Sequence, residues 1–456
     1  MNYGFHSGYR LYCLLILVIV LGGCAGRGGP VRETPSSSEG MVEDLYRFPQ
    51  DLQAYVSPNT GMQPLLSAEQ QRRMNARFDK LYFGPWHASR ASVKAEEAFA
   101  IFGGKKGNSN PRGWAENLLP WTRQAWNRLV ANAARDTFPS RLERGITVQA
   151  TVLREAPTLS PRFGNPDKAG QGFPFDLFMY SSLPAGMPVL VIHTSADGAW
   201  VYVETALVSG WVPAKDVALT DAAFRATFES GTYGVIIQDN VPLRDNGRFV
   251  CMGHIGTLFP LISMGQNDAT LLVPVRDMQG NAVLRSVTVP AEAVARKPLP
   301  LTEAALAAVG NGMMGEAYGW GGAFGVRDCS LMLRDLFIPF GIWLPRNSSA
   351  QAKSWDFQSF SELSPQKKEE MILERGKPFA TLLWLPGHIA LYVGEVRGRA
   401  AMFHTLWGIR TREGQRDGRY VIGRAVVTSL APGRELPGIQ DRNGLVARMK
   451  GMSILH

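Results

Sequence analysis

Apolar and polar positions repeat along this chain with periods that change, and each change marks a boundary. A lone Arg10 precedes an eleven-residue apolar run at 11–21, followed by Gly22-Gly23-Cys24. That run is too short to cross a bilayer, which takes about 20 residues. From about 41 to 140 the spacing is helical. Ser67-x-x-Gln70 has the form of a capping box ahead of Met74, Phe78 and Leu81. A second helix is expected over 92–102 and a third over 121–134, where Trp121, Trp126 and Leu129 read as core packing rather than a glycan-stacking surface. Near Ile146 the period falls to two. Short β-rich runs cover 146–152, 188–193, 200–203 and 210–212, and a second set covers 234–238, 241–244, 249–254 and 271–275. Pro298 and Pro300 mark a linker, and Thr302 is a usable cap for the helix that opens the last block.

The expected organisation is therefore a multidomain α+β protein. It comprises 1–23 as a signal peptide, 24–40 as a Gly/Pro/Ser-rich tether and 41–140 as a helical region. Two small β-barrels at 141–222 and 223–299 and an α+β domain at 300–456 complete it. The first barrel's Ala199-Trp200-Val201-Tyr202-Val203 and Ser209-Gly210-Trp211-Val212-Pro213 resemble bacterial SH3-like domains, and the second barrel is a weaker copy without the Gly-Trp-Val step.

The apolar run fits the core of a secretory signal. Leu21-Gly22-Gly23-Cys24 resembles a lipobox, which implies lipidation at Cys24 and a membrane anchor. Ala25 in place of aspartate then points to the periplasmic side of the outer membrane. Cys13 leaves with the signal, so Cys251 and Cys329 remain in unrelated contexts, which excludes a disulfide framework. In 456 residues, 48 Lys and Arg against 39 Asp and Glu leave a net charge of +9. So mild an excess suits any anionic partner and selects none. The 48 glycines and 29 prolines suit many short strands, and collagen, coiled coil and polytopic membrane protein are excluded.

Candidate chemistry gathers in the last block. Tyr318-Gly319-Trp320-Gly321-Gly322 leads to Asp328-Cys329-Ser330, and Leu331, Leu333, Leu336 and Phe337 continue a helix that carries the thiol in its first turn. Helix N–H groups favour thiolate and can hold an oxyanion, so a lowered Cys329 pKa is expected. His388 begins a strand on the face of Ala390, Tyr392 and Gly394, with Ile389, Leu391 and Val393 turned to the core. His404 ends a further run, and a hairpin would bring the imidazoles together. Cys, His and an orienting group form the set needed for acyl transfer. A zinc site is the other chemistry of such a set, but no Cys-x-x-Cys or His-x-x-x-His spacing supports it.

Tyr-x-Trp-Gly-Gly, Asp-Cys-Ser, Leu344-Pro345-Arg346-x-Ser348-x-x-Gln351 and Gly387-His388-Ile389-Ala390-Leu391-Tyr392-Val393-Gly394 stand in the order found in NlpC-like cysteine peptidases of bacterial cell walls. The resemblance implies a papain-like domain, Cys329 as nucleophile, His388 as base and His404 as its orienting residue. It also places Tyr318, Asp328, Ser330, Arg346 and Ser348 along the substrate groove, with Glu204 and Trp211 as candidates from the first barrel. The activity implied is hydrolysis of the γ-D-glutamyl–diaminopimelate bond of peptidoglycan stem peptides, in murein recycling if free N-terminal L-Ala is preferred. Leu331 departs from the family's usual small residue. No cofactor, metal or nucleic-acid partner is expected, and the chain is expected to be monomeric. A catalytically silent wall-binding lipoprotein, and an acyltransferase using the same residues, remain as alternatives.

Overall fold

The computed structural model describes residues 41–103 and 111–456. The signal segment, Cys13, Cys24 and the tether lie outside the described residues. In the helical region, Ala68–Tyr82 starts with the expected box: the Ser67 hydroxyl accepts from the Gln70 N–H, and the Gln70 side chain accepts from the Ser67 N–H. Phe78 and Tyr82, with Phe83 and Trp86, are buried in one apolar core with both barrels, whereas Leu81 is exposed. The expected second helix is a single turn, Ala95–Ala98, followed by a 3-10 turn, Ala100–Phe102. The third, Arg123–Asn132, starts from a Thr122 cap. Its Trp126 is fully buried, with Trp121 edge-on against it, in a layer shared with Leu190, Tyr202 and Trp211. These tryptophans are core.

The run at 146–152 forms two strands rather than one, because the chain turns between Thr147 and Thr151. The first barrel consists of β1 (Glu143–Thr147), β2 (Thr151–Arg154), β3 (Met179–Leu183), β4 (Pro188–Thr194), β5 (Trp200–Glu204), β6 (Ser209–Pro213) and β7 (Val217–Leu219). They are antiparallel in the order β3-β2-β6-β5-β4-β1-β7. The second consists of β8 (Tyr233–Ile236), a ribbon of β9 (Val241–Asp245) and β10 (Arg248–Gly253), then β11 (Leu258–Met264), β12 (Asp268–Arg276), β13 (Ala282–Pro290) and β14 (Val294–Arg296). Here the order is β13-β12-β11-β8-β14.

The last block holds a six-stranded antiparallel sheet. Its strands are β15 (Asp356–Ser359), β16 (Thr381–Leu385), β17 (His388–Val396), β18 (Arg399–Glu413), β19 (Arg416–Ser429) and β20 (Gly451–Ile454), in the order β15-β20-β16-β17-β18-β19. Met332, Leu333 and Leu336 of the helix Cys329–Phe337 share a core with Ile389, Leu391, Val393 and Phe403. The other face is covered too: Ala390, Tyr392 and Met402 are buried with Ile372 of the helix Pro365–Arg375. The surface expected on that face is therefore confined to the start of β17. His404 stands inside β18, not at the end of a run, because the strand continues to Glu413.

The N-terminal segment braces the open edge of this sheet. Asp44 accepts from the Ser429 N–H and hydroxyl, and Gln50 exchanges hydrogen bonds with the Val427 backbone. Phe48 and Leu52 are buried in the same core as the Cys329 helix.

Candidate active site

Asp328 organises the site. As the residue before the helix it accepts from the Ser330 and Leu331 N–H groups at 3.1 and 2.9 Å, which satisfies two otherwise orphaned donors. Its second oxygen accepts from the Gly321 N–H at 3.1 Å. Arg346 closes on it, with Nη2 2.7 Å from one oxygen and Nη1 3.2 Å from the other. The same guanidinium donates to the Ser330 hydroxyl at 2.9 Å and to Ser181 of β3 at 2.8 Å. One carboxylate thus ties together the glycine loop, the nucleophile's helix and the Leu-Pro-Arg turn, while Arg346 joins them to the first barrel. Burial would raise the Asp328 carboxyl, but Arg346 and the N–H of Leu331 hold it below the ordinary range.

The paired glycines of the loop have φ of +67° and +86°, and a Cβ on Gly322 would lie 2.3 Å from the Ser182 hydroxyl. Only glycine lets the loop pass between β3 and the helix. Leu331 lies over Gly322, in space a side chain there would take. Behind the loop, Arg327 is buried among Asp239 of the second barrel region, Glu316 and Asp335, with contacts of 2.8 to 2.9 Å. Burial, only partly offset by Arg327, pushes the Glu316 carboxyl up to about 7.

Cys329 is buried against the start of β17, its sulfur facing the N–H groups of Ile389 and Ser330. His388 Nε2 lies 2.8 Å from His404 Nδ1, and His404 Nε2 lies 3.0 Å from the Thr428 hydroxyl. That hydroxyl donates to the Ser429 carbonyl at 2.8 Å, so it must accept from His404 Nε2–H. His404 Nδ1 is then the acceptor, and His388 Nε2–H the donor to it. The remaining nitrogen of a neutral His388, Nδ1, carries a lone pair. Four groups in series fix one tautomer.

The electrostatics correct the expected thiolate. Burial, reinforced by Asp328, pushes the Cys329 thiol up to about 12. Burial and then Arg448 lower the His388 imidazole to about 4, and burial lowers His404 further. The helix N-terminus does not outweigh desolvation, so the resting pair is a neutral thiol beside a neutral imidazole. Cys251 is also held at about 12, by burial in the second barrel's core.

Two cavities meet at Cys329, both lined by Tyr318, Trp320 and Gly387. One, about 670 Å³, runs between the domains past Asp328, Ser330, Arg346 and Ser348 to Glu97, Tyr180, Tyr202 and Ser209. The other, about 250 Å³, adds His388, Phe175, Trp407 and three arginines. The first barrel forms a wall of the groove, but not through the residues expected. Trp211 is fully buried among Phe99, His193 and Tyr202 and does not reach it. The Glu204 carboxylate is buried and accepts from the Ser92 N–H and hydroxyl and the Val93 N–H, so it holds the loop that lines the groove instead of lining it. The groove-facing acid in this region is Glu97, exposed on its one-turn helix. Nothing local in the sequence distinguishes it.

Family models match four consecutive stretches. They are the NLPC_P60 stabilising domain, N term, at 12–138, an SH3 domain of SH3b1 type at 161–213, an SH3 domain of SH3b2 type at 221–266, and the NlpC/P60 family at 315–422. The C-terminal domain belongs to the NlpC/P60 family. Among solved structures, an NlpC/P60 endopeptidase from Photobacterium damselae subsp. piscicida is similar over 90% of this chain and 97% of its own. The two share 24% identity with a TM-score of 0.79, so the four-part fold is common to both. An NlpC/P60 family protein from Bacillus cereus ATCC 10987 aligns over 68% of this chain and 98% of its own, at 16% identity and a TM-score of 0.43. No curated protein matches the chain. In NlpC/P60 terms, the four sequence motifs converge on one groove between the peptidase-like domain and the SH3b1 barrel.

Proposed function

We propose that the protein is a cysteine peptidase that hydrolyses the γ-D-glutamyl–diaminopimelate bond of peptidoglycan stem peptides, using Cys329, His388 and His404. The observation that carries this reading is the hydrogen-bond series from Ser429 through Thr428 and His404 to His388, which leaves a bare imidazole nitrogen at a cavity shared with a free thiol. His388 takes the thiol proton as sulfur attacks the carbonyl carbon, and His404 accepts the hydrogen bond that orients and stabilises the imidazolium. Burial, then Cys329 and Asp328, push the Tyr318 hydroxyl far up, so it stays protonated and can donate to the developing oxyanion. The C–N bond breaks as His388 returns the proton to the leaving nitrogen, and water then hydrolyses the thioester.

The acyl side lies in the larger cavity. Asp328 is spent on its helix and on Arg346, so it serves as a scaffold there. A free N-terminal L-Ala amine has Glu97 as its partner, and the barrel wall leaves an N-acylated stem no matching charge. This favours released peptides over intact wall. Lipidation at Cys24 and a place on the periplasmic side of the outer membrane belong to the same proposal, as does action as a monomer. The test is mass spectrometry of L-Ala-γ-D-Glu-diaminopimelate, free and N-acetylated, after incubation with residues 25–456. Loss of the diamino acid from the free peptide, abolished in Cys329→Ala, is the expected result. An unprocessed peptide that nevertheless binds would favour the silent wall-binding reading.

A further inference from the structure

The smaller cavity at Cys329 carries an unusual charge arrangement. Arg410 of β18 and Arg419 of β19 are directly paired in register across the hairpin. Like charges placed opposite one another on neighbouring strands destabilise a sheet. Two positions along, the hairpin resolves the same problem differently: Arg412 faces Asp417 and bonds to it at 2.8 to 2.9 Å. Arg448 reaches the same cavity from the helix Gly444–Arg448, and among the described residues one acid, Asp441, stands on its wall. Burial and Arg410 together lower both Arg419 and Arg448 below the ordinary arginine value. The position is held from above by the first barrel. Phe175 packs edge-on against Trp320 and Trp407, and the Gly170 turn lies so close that a Cβ there would sit 2.6 Å from Arg419.

The side of the nucleophile on which this cavity lies fixes what enters it. His388 lines it and does not line the larger cavity. The group that returns a proton must stand beside the leaving nitrogen. We propose that this cavity is the leaving-group subsite, and that Arg410, Arg419 and Arg448 select amines whose side chain ends in a free carboxylate. Resting on the peptidase reading above, this names the diamino acid as an unamidated, carboxylate-bearing one. The distal end of such a residue is itself an ammonium beside a carboxylate, which matches Asp441 beside the arginines. A lysine in the same place brings the ammonium alone. A residue amidated at its distal end brings no negative charge to that end.

The test uses three tripeptides that differ only at that end: L-Ala-γ-D-Glu linked to meso-diaminopimelate, to its distal carboxamide, or to L-lysine. For the unmodified protein, kcat/KM for the acid form is expected to exceed the other two by about ten- to a hundredfold, the size of a lost charge-assisted contact. Arg410→Gln, Arg419→Gln and Arg448→Gln, made singly, should each shrink that ratio toward one. Equal rates on all three peptides with the unmodified protein, or a ratio that persists in the arginine variants, would overturn the assignment. A second measurement is independent of turnover: calorimetric binding of free meso-diaminopimelate, its monoamide and lysine to Cys329→Ala. Preference for the diacid there, with no peptide cleaved by the parent protein, would leave the subsite standing and remove the peptidase reading. No preference would remove the subsite.

Discussion

Thr428 lies at the far end of the histidine series and lines neither cavity, yet its hydroxyl determines which nitrogen of His388 carries the proton. Thr428→Val keeps the shape and removes that hydroxyl. His404 Nε2–H, deep in the sheet, then loses its acceptor. A buried polar group left without a partner costs about 1–3 kcal/mol. His404 can avoid that cost by moving its proton to Nδ1, which forces His388 to accept at Nε2 and carry its own proton on Nδ1. In that form His388 cannot take the thiol proton. A bias of about 1–3 kcal/mol toward the inactive tautomer lowers the competent fraction roughly 5- to 150-fold. Steady-state kinetics on the stem tripeptide should show that fall in kcat, with KM within about twofold, because Thr428 is remote from the groove. Thr428→Ser restores the donor and acceptor and should recover most of the loss. A Thr428→Val protein with native kcat, or a Ser variant no better than Val, would refute the tautomer argument.

Other outcomes follow from the same geometry. Cys329→Ala should abolish hydrolysis, whereas Cys251→Ala, in the second barrel's core, should leave kcat/KM within a few-fold; mass spectrometry with parallel circular dichroism checks both. With its thiol held at about 12, Cys329 should react with iodoacetamide at pH 7 more slowly than a free thiol, and the rate should keep rising past pH 9; a plateau below pH 7 would restore the thiolate. His388, lowered from 6.5 to about 4, is neutral in the folded protein and gains a proton on unfolding. Its stabilising share is therefore full above pH 6.5 and is lost as pH falls to about 4, roughly 3 kcal/mol in all. The gap between urea midpoints at pH 7 and 4.5 should narrow in His388→Gln relative to the parent, with buried His404 keeping part of it. Glu97→Gln should narrow the preference for free over N-acetylated tripeptide about tenfold, read as a ratio of kcat/KM values; an unchanged ratio would move the amine elsewhere.

Local patterns carried the parts of this fold that depend on local physics. Ser67 and Gln70, Thr302 and the helix after Cys329 obey capping rules that act within four residues, and each is found where the pattern placed it. The alternation in β17 was legible for the same reason. What escaped was set by partners distant in the chain. The run at 146–152 splits because β1 and β2 pair with different strands. Trp211 and Glu204 were candidates for the groove by resemblance, but Trp211 of β6 and all five residues of β5, Glu204 among them, are buried, with the N-terminal helices covering that face. The Cys329 helix advertised a stabilised thiolate, and burial by the rest of the domain, reinforced by Asp328, reverses it. The arginine pair is invisible until the β18–β19 hairpin sets its register.

Arg327 sits two residues before the nucleophile, and its charge is met partly by Asp239, which belongs to a different barrel. Arg346 leans on Ser181 of the other barrel, and Phe48 and Leu52 fill the core beneath the nucleophile's helix. A gene fragment encoding 300–456 would therefore leave Arg327 with Glu316 and Asp335 but without Asp239, and would open an apolar socket worth several kcal/mol beneath the nucleophile's helix. This architecture resists recombination. Exchanged on its own, the peptidase-like end would lose its contacts to both barrels and to Phe48 and Leu52, so a swap that keeps it folded brings those partners along or rebuilds the seams.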